Sequence, residues 1–104
     1  LLDSDVPTPP EMDVRYSFDI VRDGGELSGG RFVLAGSVQD IVVAADETVA
    51  RYAAGGWEVR ERVVLPAQAT LVFAKGARTS RIEIEKRRID PQMSSAIVQL
   101  QRSR

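Results

Sequence analysis

The stretch from Val38 to Trp57 limits the fold more than any other, because it alone has the periodicity of a full-length helix. Val38, Ile41, Val42, Ala45, Val49, Tyr52 and Ala53 fall at spacings of 0, 3, 4, 7, 11, 14 and 15. That is one stripe of a 3.6-residue period, so the spacing predicts a helix with one buried face. Gly55-Gly56 ends it, since glycine accepts the left-handed backbone that helix C-termini often adopt. Trp57 follows at once and is expected in the core beneath the helix.

The flanking segments have a period of two. Between Asp13 and Val21, alternation sets Val14, Tyr16, Phe18 and Ile20 on one face and Arg15, Ser17 and Asp19 on the other, a half-buried strand. Asp23-Gly24-Gly25 is hairpin-turn chemistry, and Gly29-Gly30 reads as an irregularity before a strand carrying Phe32 and Leu34. After the helix, Trp57, Val59, Val63 and Leu65 share one face of a strand, which Glu61 interrupts between Val59 and Val63, marking a strand end or a sheet edge there. Three further strands carry Leu71 and Phe73, then Ile82 and Ile84, then Val98 and Leu100 inward, with Asp90-Pro91 interrupting before the last. The order is ββαββββ. With too few helices for parallel crossovers, the expected class is α+β: a two-layer antiparallel sheet with one helix packed across it. A helix about 10 Å wide spans two or three strands spaced at about 4.8 Å. Six strands exceed its reach, so the sheet must curl, split or keep apolar area for a neighbour.

Domain count and chemistry follow from composition. A chain of 104 residues makes one domain. Residues 1–12 (LLDSDVPTPPEM) lack periodicity and carry Pro7, Pro9 and Pro10, so they are expected to be an acidic tether before a single domain over 13–104. No run of about 18 apolar residues predicts a membrane helix. There is no cysteine and no histidine, which excludes disulfides, Cys/His zinc sites, a Ser-His-Asp triad and a histidine base. Charge is split along the chain: residues 1–74 carry a net −6 and residues 75–104 a net +5.

Each remaining chemical motif has a plain structural reading. The glycines between Gly24 and Gly30 lack the Gly-Lys-Ser/Thr ending of a phosphate loop and open no helix, so a hairpin loop is expected there. Glu83 and Glu85 alternate with Arg81 and Arg87, a pattern that fits ion pairing better than glycoside chemistry. The basic run Lys75, Arg78, Arg81, Lys86, Arg87 and Arg88 has no exposed aromatic beside it, which weakens a nucleic-acid reading. No catalytic, cofactor or metal residue is therefore assigned, and a non-catalytic protein is expected. Pro7, Pro9, Pro10, Lys75, Arg78, Arg81, Lys86, Arg87, Arg88, Arg102 and Arg104 stand as candidate partner contacts.

The helix followed by Gly55-Gly56-Trp57, a strand, and then Leu71-Val72-Phe73-Ala74-Lys75-Gly76 with a basic strand resembles small bacterial secreted or lipoprotein-type α+β domains. The resemblance covers Asp13 to Gln101 loosely and implies an exported, extracytoplasmic protein, with any membrane association through partners or an N-terminal anchor; it carries over no active site. Together with bare sheet area and opposed charge blocks, it leads to the expectation of an accessory, protein-interaction subunit of a membrane-associated assembly, with other protein subunits as partners. The alternatives are a weak nucleic-acid- or anion-binding module using residues 75–88, and a small-molecule-binding envelope domain.

Overall fold

The computed structural model describes residues 1, 4–38, 40–87 and 93–103. It contains one six-stranded antiparallel sheet with one helix across it. The elements run β1 (Met12–Asp23), β2 (Glu26–Gly36), α1 (Ile41–Ala54), β3 (Glu58–Val64), β4 (Gln68–Lys75), β5 (Arg78–Lys86) and β6 (Ser94–Arg102). Across the sheet the order is β1-β2-β6-β5-β4-β3. The last strand thus enters between the first hairpin and the β3–β5 meander, and β1 and β3 form the two edges. The order ββαββββ read from periodicity is the order found.

The helix begins later than the apolar stripe suggested. Asp40 caps it, its carboxylate accepting from the amides of Val42 and Val43 at 2.9 and 3.2 Å. Val38 is buried from the preceding loop instead. The face that meets the sheet is Ile41, Ala44, Ala45, Thr48 and Tyr52, while Val42 and Val43 are exposed. Ala44 takes the place the stripe gave to Val42, and Thr48 joins the half-buried Val49, which still packs against the core. Thr48 fits in an apolar wall because its hydroxyl donates to the Ala44 carbonyl at 2.7 Å.

In the core the expected inward residues appear on one sheet face: Phe32 and Leu34, Leu71 and Phe73, Ile82 and Ile84, Ala96, Val98 and Leu100. Tyr52 descends from the helix and stacks on Phe73 at 4.0 Å, with Trp57 edge-on at 5.4 Å. Burial pushes the Tyr52 phenol up to about 12, the Ser80 contact only partly opposing it. The phenol and the Ser80 hydroxyl satisfy each other at 2.9 Å.

Two expectations are corrected. The described part of the segment expected to be a tether, residues 1 and 4–12, is not solvated throughout: Leu1, Val6, Pro9, Pro10 and Met12 are buried, and Leu1, Val6 and Met12 belong to the main core cluster. The helix packs chiefly on β3, β4 and β5. The N-terminal segment lies beside it, held by Arg51 Nη1 donating to the Thr8 carbonyl at 2.9 Å. It supplies the cover that one helix lacks. At its far end the Glu11 carbonyl sits so close to Gly36 that an added Cβ would lie 1.9 Å from it, which only glycine avoids.

The second correction concerns β1. Alternation put Val14, Tyr16, Phe18 and Ile20 on one buried face, but the pairing with β2 slips at Arg15 and again at Asp19–Ile20. Val14 pairs with Leu34 in the core row; Tyr16 pairs with Val33 and Phe18 with Arg31, on the opposite face. One bulge residue turns the following side chains over. At the other edge, β3 slips between Val59 and Glu61, where the break in alternation had marked an edge.

Trp57 is 3% exposed and packs against Tyr52, so Trp57→Ala is expected to cost about 3–5 kcal/mol. Thermal or denaturant unfolding measures it, and a variant with wild-type stability would contradict this account of the core.

Candidate functional site

Two places concentrate charge or exposed apolar surface. One is internal. Arg78, first residue of β5, is buried among core side chains with its guanidinium 4.9 Å above the Trp57 ring. It donates from Nη1 and Nη2 to the two oxygens of Asp5 at 2.9 and 2.7 Å, and from Nη1 to the Leu27 carbonyl at 3.1 Å. Glu26 lies 3.3 Å from its Nε. Lys75 joins from the end of β4, donating to Asp5 at 3.1 Å and to the Gly55 carbonyl at 2.8 Å. Every neighbour is thus a hydrogen-bond or ion-pair partner within the chain. The Arg78 guanidinium, assisted by Lys75, holds the Asp5 carboxyl well below the usual carboxylate range despite partial burial. The Arg78 pKa is raised in return, chiefly by the same bonds.

The candidate partner contacts are scattered by this arrangement. Pro9, Pro10 and Arg78 are buried within the chain and are removed from the contact set, because atoms packed inside cannot meet another molecule. Pro7 and Lys75 are half-buried, and Lys75 is engaged with Asp5. Arg81 is exposed on the other sheet face, paired with Glu83 at 3.2 Å and Glu61 at 3.9 Å. Arg102 pairs with Asp23 and Glu26. Lys86 is half-buried and Arg87 exposed; Arg88 and Arg104 lie outside the described residues. Directly opposed side chains share a face, so the run from Lys75 to Arg87 alternates between the core side and the open side. Its charges are also interleaved with Glu83 and Glu85. The fold assembles no continuous basic surface from it.

The second place is the sheet face that neither helix nor N-terminal segment covers. Tyr16 and Phe18 stand on it side by side, 65% and 50% exposed, with ring centroids 6.5 Å apart and planes at 25°. The register carries the apolar strip inward, Tyr16 opposite Val33 and Val33 opposite Ile97. Sequence reading missed these aromatics because the alternation that placed them in the core was unbroken; the bulge at Arg15 has no glycine or proline to announce it. Next to them lies an open groove of about 820 Å³, lined by Arg22, Arg31 and Arg102 as well as Asp19 and Asp23, with no prevailing sign of charge.

Among the described residues, no group of histidine, cysteine, aspartate and glutamate side chains could hold a metal ion, and no helix is long and apolar enough to cross a membrane. Compared with protein-family models, curated proteins and solved structures, the chain matches none of them.

The Asp5 shift makes a pH prediction. Its carboxylate pKa is depressed on folding, so the pair stabilises the fold above the ordinary aspartate pKa of about 4, and that contribution is lost as pH falls below it. Asp5→Asn is expected to lower the melting temperature at neutral pH and to flatten its decline in acid. The neutral-pH cost should stay below the ~3–5 kcal/mol of a fully buried pair. Asp5 is 41% exposed and Glu26 remains beside Arg78. Parallel acid melting curves for the two proteins would rule the pair out as the cause.

Proposed function

We propose that this chain is a non-catalytic protein-interaction subunit whose contact surface is the open sheet face around Tyr16 and Phe18. The observation that carries the reading is the exposure of two adjacent, stacked aromatic rings on the open sheet face. Exposed, contiguous apolar surface is what interfaces use, and tyrosine and phenylalanine are enriched at their centres. The bare area that counting strands against one helix predicts on the core side is covered by the N-terminal segment through Leu1, Val6 and Met12, so the opposite face is the one left open. The setting in this reading is extracytoplasmic, in a membrane-associated assembly, supported by the resemblance to small secreted α+β domains alone.

The test is native purification of the chain from its source, with the accompanying polypeptides identified and the mass of the complex measured. The wild type is expected to travel with another protein. Tyr16→Thr/Phe18→Thr should travel alone at 11.4 kDa. Threonine keeps strand propensity and both positions are exposed, so the substitution should change stability by less than about 1 kcal/mol. Wild-type chain recovered alone, or a double variant that keeps its partner, would overturn the assignment.

A further inference from the structure

We infer that the β1 edge pairs with the β1 edge of a second copy of this chain, about a two-fold axis through Ser17. This goes beyond the interaction reading above by naming one occupant for the strand that carries Tyr16 and Phe18. Outwards from Ser17, the strand is nearly its own complement: Tyr16 faces Phe18 across the centre, and Arg15 faces Asp19. Antiparallel self-pairing with Ser17 opposite Ser17 sets residue 16 of one copy against residue 18 of the other, and 15 against 19. The ladder then holds two aromatic pairs and two opposite-charge pairs in all, the pairs that stabilise antiparallel sheets. A two-fold axis makes every such contact occur twice.

The charges are available for this use. Arg15 and Asp19 are exposed, and neither has an ion-pair partner among the described residues. The opposite edge behaves differently. On β3, Arg60 is paired with Glu58, Arg62 with Asp46, and Glu61 with Arg81. Those pairs blunt β3 as an edge, and it carries no aromatic residue. The bulges at Arg15 and at Asp19–Ile20 bracket the regular stretch Tyr16–Phe18, so the aromatic pairs lie on regular strand, the charge pairs on the bulge residues at its ends, and self-pairing spans about five residues per chain. That is smaller than a standard interface, and the dimer is accordingly concentration-dependent. In it the two β1 strands join two sheets edge to edge and bring four aromatic rings together on one continuous open face.

The experiment is sedimentation of the purified full chain over a wide concentration range. Wild type should rise from 11.4 kDa toward twice that mass. Arg15→Asp and Asp19→Arg each place like charges opposite one another, and each should shift the dimerisation midpoint upward by at least about tenfold. An equimolar mixture of the two restores opposite charges at both positions and should dimerise like wild type. Asp19 has φ of 51°, so Asp19→Asn, which accepts that backbone, checks the direction without strain and should also weaken pairing. Wild type fixed at one-chain mass, or charge variants that dimerise unchanged, or a mixture that fails to recover, would overturn the inference. A monomeric wild type whose Tyr16→Thr/Phe18→Thr variant still loses a different protein partner would overturn self-pairing and leave the interaction reading intact.

Discussion

Arg78 occupies a place where the strand pattern calls for an apolar side chain, and the domain's closure follows from how that charge is satisfied. A guanidinium taken out of water costs several kcal/mol unless each of its donors finds an acceptor. Here the acceptors come from two separate parts of the chain, Asp5 from one and Glu26 with the Leu27 carbonyl from the other, and a third part lays the Trp57 face beneath. Asp5 belongs to the segment before β1, Glu26 and Leu27 to the start of β2, and Trp57 to the residue just before β3. Satisfying one side chain therefore ties the N-terminal segment, the first hairpin and the helix exit to the same end of β5. The bidentate geometry to Asp5 also fixes where the segment lies, because both guanidinium nitrogens must meet one planar carboxylate.

That tie explains how a single helix serves a six-stranded sheet. The helix lies chiefly over β3 to β5. A proline-bearing segment is suited to covering the rest: it needs no ladder partners, and Val6 and Met12 plug into the core. Pro9 and Pro10 are buried as part of this cover. The acidic residues that argued for solvation have a different use in Asp5, which is the counter-charge of Arg78. The opposed charge blocks of the sequence thus meet within the chain, through Asp5 with Arg78 and Lys75.

How much of this was legible depends on whether the signal is local. Helix, strand count and class are set by periodicity within windows of ten or so residues, and those were read correctly, as were Phe32, Leu71, Phe73, Ile82 and Val98 as core. The N-terminal segment was misread because its anchors lie far away: Arg78 is 73 residues from Asp5, and no pattern within residues 1–12 reports that contact. Arg78 was misread for the same reason, as one member of a basic run. The two aromatics of the open face failed differently. Their alternation is genuine, but face assignment depends on register, and a one-residue slip at Arg15 reverses it without changing the sequence pattern. The mirror order around Ser17, by contrast, is present in the sequence and acquires meaning only once β1 is known to be an edge.

The bulges of β1 reconcile exposure with restraint. Without the slip at Arg15, Tyr16 and Phe18 would remain on the core side with Val14, and the open face would lose its aromatic centre. Without the slip at Asp19–Ile20, the regular edge would be longer, and a long flat edge recruits strands indiscriminately. Confined to the residues between them, the edge offers a few hydrogen bonds and relies on side chains for selectivity. Self-pairing of the kind inferred uses up β1 on both copies. The joined sheet then ends on two β3 strands, whose arginines and glutamates are already paired within their own chains. Growth beyond two copies has no free edge of the same kind to continue on. The assembly therefore closes as a dimer, and what it presents outward is the enlarged aromatic face.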